Sequence, residues 1–274
     1  MKNRYYTKTL LTALIATSAL FADSPALAMD LKAEDALKVH AKLGYISTQG
    51  NTETTTYALE AKVKKGWEKD VLEFEFDGQY SSDKSVETKN KYFIELEYNY
   101  IFTEQLAFGY LAGYKDDKFS GFNYQTYTGP GIKYNALKDK AQNLTIDANI
   151  LYAQDSTEDI HKDSSGDIIA YPNPTNTPTA STEAGTTKSY GSMRLKAIYT
   201  LQMLENLKFT QELTYRSDME DTAQYFVFSK TAFDSKISDM FSAGISYKID
   251  YVNSPVDGKE NSDRTLTATI GMDF

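Results

Sequence analysis

From residue 39 to the last residue, apolar and polar side chains alternate along this chain with a period of two. That feature constrains the fold more than any other. Only a strand sorts alternate residues onto two faces; a helix would scatter them round its whole circumference. The fourth run is the cleanest, with Tyr92, Ile94, Leu96, Tyr98, Tyr100 and Phe102 set against Lys91, Glu95, Glu97 and Asn99. The first places Val39, Ala41, Leu43 and Tyr45 opposite His40, Lys42 and Gly44. The second places Tyr57, Leu59, Ala61, Val63 and Trp67 opposite Glu60, Lys62 and Lys64, and the third Leu72, Phe74, Phe76 and Tyr80 opposite Glu73, Glu75 and Asp77. Runs of the same kind start at Leu106, Tyr124, Leu144, Met193, Leu207, Phe241 and Leu266. A tenth run, residues 223–234, is ambiguous, because Tyr225, Val227 and Phe233 compete with Phe226 and Phe228 for the apolar face. Pro130 lies inside the sixth run, and a proline there predicts a bend or bulge.

About 12 strands result, an even number of the kind single-chain bacterial barrels use. The connections alternate as well. Short polar turns (Glu68-Lys69-Asp70, Thr103-Glu104-Gln105) trade with longer loops over 81–90, 116–122, 154–188 and 252–264; the Gly50-Asn51 turn is the exception. The segment 154–188 is rich in Asp, Ser, Thr, Asn and Pro and has no periodicity, so it reads as a mobile external loop. The expectation is an all-β, transmembrane, antiparallel up-and-down β-barrel over 37–274, preceded by a short periplasmic segment, 29–36.

Three features favour a membrane barrel over a soluble one, whose apolar face would point inward. Charges occupy the middle of the polar face. Aromatic residues gather near strand ends, at Tyr45, Tyr57, Trp67, Tyr80, Tyr92, Phe102, Tyr114, Tyr134 and Tyr152, as in interfacial girdles. The chain closes Leu266-x-Ala268-x-Ile270-x-Met272-x-Phe274. That ending resembles the signal read by outer-membrane assembly machinery. The N-terminus fits export: Lys2, Arg4 and Lys8 precede the apolar run Leu10–Phe21, and Ala26-Leu27-Ala28 offers a cleavage site after Ala28. Residues 1–28 therefore read as a signal peptide and the destination as the outer membrane, with its lipid and its assembly machinery as partners.

The chain carries −9 and its first 28 residues +2, so the remainder carries −11. Such a chain repels phosphates, which argues against nucleic acid as a partner. The absence of Cys excludes disulfides, thiolate metal sites and thiol catalysis. Of two histidines, His40 lies on the polar face of the first run and His161 in the long loop; neither belongs to a recognisable nucleophile motif. Asp116, Asp117, Asp155, Glu158, Asp159 and Asp163 match no ordered calcium loop. No enzyme activity, metal or cofactor is expected. The charges expected to face the lumen are Lys42, Glu60, Lys62, Lys64, Glu73, Glu75, Asp77, Glu95, Glu97, Arg194, Lys196, Lys208, Glu212 and Arg216. They form an acidic wall on the third and fourth runs facing basic neighbours. Two readings stay open: a narrow pore for ions or small solutes with a transverse field, or a lumen closed by ion pairs.

The stretch Leu43-Gly44-Tyr45-Ile46-Ser47-Thr48-Gln49-Gly50-Asn51-Thr52-Glu53-Thr54 resembles the G-[YF]-x-x-[ST]-x-G-N-[ST] opening of the YdiY-like family, the salt-induced outer membrane proteins. Gly129-Pro130-Gly131-Ile132-Lys133-Tyr134, Tyr251-Val252-Asn253-Ser254-Pro255 and the closing Phe274 agree with it. The resemblance implies an outer-membrane barrel. It supplies no catalytic residue and does not extend to 154–188.

Overall fold

The computed structural model describes residues 37–48, 54–169, 173 and 175–273. The segments 1–28 and 29–36, the Gly50-Asn51 turn and Phe274 lie outside the described residues. Fourteen strands follow in order: β1 Leu37–Thr48, β2 Thr54–Trp67, β3 Asp70–Asp83, β4 Val86–Ile101, β5 Leu106–Asp117, β6 Phe122–Lys138, β7 Gln142–Thr157, β8 Ile160–Lys162, β9 Ser181–Glu183, β10 Thr187–Leu204, β11 Leu207–Asp218, β12 Tyr225–Lys236, β13 Phe241–Val252 and β14 Ser262–Asp273. All but β8 and β9 form one closed antiparallel barrel of twelve strands, each paired with its chain neighbours and β14 returning to β1. Closure removes every sheet edge, which a membrane barrel requires because lipid cannot satisfy free backbone groups.

The alternation sorts as expected, and with the polarity opposite to that of a water-soluble protein. Leu43, Ile150 and Leu266 face outward at 58%, 66% and 59% exposure, whereas Lys133, Lys248 and Glu95 are buried inside at 1%, 3% and 4%. This is the distribution a barrel needs when hydrocarbon is its outer solvent. Rings ladder around both ends. Tyr45, Tyr57 and Tyr80 neighbour one another at the long-loop end, as do Tyr92, Tyr114 and Tyr124, with centroids 5.3–6.4 Å apart. Tyr199, Phe209 and Phe233 do the same at the other. Strand β12 resolves its ambiguity by register: Lys230, Ala232 and Asp234 share the inward phase with Phe226 and Phe228, leaving Tyr225, Val227 and Phe233 outside.

Three expectations are corrected. The loop over 81–90 is strand: β3 and β4 continue to a two-residue turn, Lys84-Ser85, both at positive φ (47° and 66°). Primed turns of this kind match the twist of the flanking strands. Among the described residues, the ends and part of the middle of the segment 154–188 are strand. β7 runs to Thr157, β10 begins at Thr187, and β8 pairs with β9 between them. Its polar side chains order the backbone, as when Asp163 accepts the Ser165 and Asp167 N–H groups. Pro130 produces no bulge. The β6–β7 ladder is interrupted at Gly129 and Pro130 and resumes in the same register, while the β5 side pairs through; the irregularities lie at Phe122/Tyr124 and Asn135/Leu137. A proline removes one donor, so it disturbs only the side to which that donor would point.

Candidate functional site in the lumen

Alternation brings all fourteen candidate charges to the inner wall, and the closed sheet decides which of them meet. Lys62 and Lys64 face Glu75 and Glu73 on the adjacent strand, in register, at 2.9 and 3.2 Å. Others cross the lumen. Arg194 on β10 reaches Glu95 on β4 at 3.1 Å, and Lys196 reaches Glu75 on β3 at 3.9 Å while also meeting Glu212 on the adjacent β11 at 3.0 Å. Glu60 receives Lys230 and Lys248, each at 2.7 Å, and Lys248 also binds Asp77. Lys42 meets Asp234 at 2.5 Å, Arg216 meets Asp155 at 3.5 Å, and Lys208 lines the lumen near the short-turn end. Burying these charges costs several kcal/mol each unless partners compensate, which explains the dense pairing.

The expected acidic wall is not left bare. Lys133 on β6 inserts between Glu97 (3.0 Å) and Glu73 (3.7 Å), and Lys230 and Lys248 neutralise the β2–β3 side. The candidate set also misses Lys91, Lys115, Lys133, Lys230, Asp234, Lys248, Asp250 and Asp263. The signal for them was parity: Lys133 lies between Ile132 and Tyr134, and Lys248 between Tyr247 and Ile249. Lys91 binds Asp250 at 2.7 Å and Asp263 at 3.0 Å, and Lys115 binds Asp250 at 3.2 Å. Strands β5 and β13 are six places apart round the ring, so Lys115 and Asp250 join opposite walls. A circular ring of twelve strands spaced ~4.8 Å and tilted ~40° would be roughly 24 Å across. A lysine and an aspartate cannot bridge that span, so the section is flattened at this level.

Three cavities lie in series. At the long-loop end a vestibule of about 740 Å³ is walled by the start of β4 and by the loops after β5, β7 and β13. Gly121 (φ 82°) packs against Val256, and Gly258 (φ 81°) against Ile168, which ties these loops together. Partial burial raises the Glu158 carboxyl in this vestibule above its ordinary value, with Asp116 and Asp117 adding to the shift and Lys259 opposing it. Below lies an upper lumen cavity of about 160 Å³, reached past the shared residues Lys115, Asp250 and Val252. A lower cavity of about 120 Å³ follows, separated from it by the shared layer Glu75, Lys196, Glu212 and Lys230.

The histidines lie apart. His40 Nδ1 meets Asp273 at 2.5 Å at the short-turn end, and His161 bonds Thr182 within the β8–β9 hairpin at 3.0 Å. The acidic loop residues serve the backbone: Asp117 accepts from Phe119 N–H and Asp159 from Gly185 N–H. Among the described residues no cluster of His, Cys, Asp or Glu is placed to hold a metal.

Solved outer-membrane barrels are similar to this chain at low identity. The NanC porin is 16% identical with a TM-score of 0.44, over 87% of this chain and 99% of that one. The translocator domain of the autotransporter NalP from Neisseria meningitidis is 10% identical with a TM-score of 0.43, over 87% and 88%. The outer membrane channel DcaP of Acinetobacter baumannii is 8% identical with a TM-score of 0.38, over 87% and 95%. No curated protein matches the sequence. One family does, over residues 41–274, which is nearly the whole barrel: the chain belongs to DUF481, described as a protein of unknown function.

Proposed function

We propose that this chain is an outer-membrane β-barrel whose lumen is a narrow, passive channel for ions or small solutes. One observation carries the reading: three cavities in series along the axis, separated only by layers of paired charges. A barrel that needed only filling would be more stable with apolar side chains, because a buried ion pair seldom repays its desolvation. Retaining so many ionisable groups inside favours a wetted path. The outward apolar face and its two aromatic girdles support the membrane location. The opening motif resembling the YdiY-like salt-induced proteins supports the outer membrane and that subgroup. Export by residues 1–28 with cleavage after Ala28, and insertion through a C-terminal signal ending at Phe274, belong to the same proposal. So does a non-enzymatic role.

The pair Lys115–Asp250 favours a second reading, an envelope protein whose lumen is closed by ion pairs. Planar-bilayer recording separates the two. The channel reading expects small, uniform conductance steps from purified protein. Silence from both the whole barrel and a variant lacking residues 158–186 would leave only the closed barrel.

A further inference from the structure

We infer that the upper lumen cavity is a binding site for small organic carboxylates that carry a flat apolar ring. The inference rests on the channel reading only in that such a solute must enter the lumen. The cavity wall carries seven cationic side chains and four carboxylates; each carboxylate is held by lysine, and Glu60, Glu95, Asp155 and Asp263 behind the wall pair with Lys230, Arg194, Arg216 and Lys91. Arg216 is the cation best able to take a further anion. Its polar partners are the Tyr190 hydroxyl at 3.2 Å, at the upper end of ordinary hydrogen-bond lengths, and Asp155 at 3.5 Å, beyond them. The guanidinium stacks on Phe226, 4.4 Å from the ring centroid, and lies 5.3 Å from that of Tyr127. Stacking holds its fork in one plane, the geometry that receives a carboxylate through two parallel hydrogen bonds.

Two further observations point to a ligand. Neither amide atom of Gln79, at 4% exposure, meets a partner among the described residues, nor does Nε2 of Gln125, at 5%; both side chains line this cavity. Buried amides left so cost free energy unless something bonds them. In addition, Phe93, Phe226 and Phe228 turn toward this cavity beside Tyr127, where apolar rings serve no packing against lipid. A cationic fork, spare amides and aromatic faces together match a ring bearing one carboxylate. The volume, about 160 Å³, suits a single ring, since a cavity of roughly 150 Å³ accepts benzene.

The test uses the folded full-length barrel in detergent, titrated calorimetrically with benzoate, acetate and benzyl alcohol against matched micelles, with benzoate also added to bilayer recordings. Benzoate is expected to bind about tenfold more tightly than either partial analogue. Arg216→Gln is expected to lose about that factor. Heat-shifted gel mobility reports folding; should Arg216→Gln not fold, Phe226→Leu is expected to bring benzoate to the level of acetate. Benzoate binding no tighter than acetate, or indifferent to the folded variants, would overturn the site. Binding without conductance would sink the channel and leave the site standing; conductance that benzoate neither blocks nor accompanies with binding would do the reverse.

Discussion

Lys133 offers the sharpest measure of how dry the lumen is. It is 1% exposed, with Glu97 at 3.0 Å and Glu73 at 3.7 Å. Lys133→Met keeps most of the volume and removes the charge. Glu73 retains Lys64 at 3.2 Å, so the damage falls on Glu97 and on Asp147, 3% exposed, which lies opposite Lys133 in the β6–β7 register. A unit pair at this separation is worth roughly 5 kcal/mol at an effective dielectric of ~20 and about 1 kcal/mol in water. Removing one partner of a desolvated pair costs about 3–5 kcal/mol, chiefly by stranding the other charge. Lys133→Met is therefore expected to destabilise the barrel by that amount. Lys133→Met with Glu97→Gln and Asp147→Asn is expected to recover all but about 1 kcal/mol, because the buried carboxylates left beside the new methionine are then neutral. Guanidinium unfolding in detergent can be followed by Trp67, the one tryptophan, which faces outward near the short-turn end. A single variant within about 1 kcal/mol of the parent would show that water already screens this pair, and the argument from desolvation would fail.

Three other perturbations probe separate levels. Asp250→Asn removes the carboxylate that ties Lys115 to the opposite wall and leaves Lys91 to Asp263 alone; single-channel conductance should rise, and an unchanged conductance would mean this layer does not constrict the path. A Cβ at Gly113 would stand 2.3 Å from the Tyr127 ring, so Gly113→Ala should cost about 1–3 kcal/mol, read as a lower temperature for loss of the compact gel band. A variant as heat-resistant as the parent would contradict that packing. In the turn after β6, the Asp139 carboxylate accepts N–H groups from Ala141 and Gln142, each at 2.8 Å, which holds its pKa below the ordinary 3.8. A lowered folded-state pKa gives stability that is present above 3.8 and lost as pH falls through the folded value. Asp139→Asn should flatten the acid limb of the stability profile below about pH 4. An acid limb identical to the parent's would remove the carboxylate from that account.

Tyr92 to Phe102 shows why the barrel was legible in one dimension. Period two depends only on a residue and its near neighbours, so strand phase, strand number and the inward direction of Glu95 or Arg194 can be read locally. The alternation of short turns and long loops belongs to the same level. Several features could not be read this way. Phe226 and Phe228 were as apolar as their competitors, and the inward phase of β12 was settled by Lys230 and Asp234 meeting acids and bases on other strands. Residues 81–90 looked like a loop because Ser, Asp and Lys are equally at home on a strand that projects past the apolar band. Above all, local pattern placed acids and bases on one face without saying which would meet. Lys115 finds Asp250 across the barrel, and Lys133 finds Glu97 two strands away. Those partnerships depend on the order of closure, the register of twelve ladders and the flattening of the ring. Each is a property of the whole sheet, which is why the sequence alone determined an inward-facing charged wall and only the tertiary structure decided where that wall is tied across the lumen.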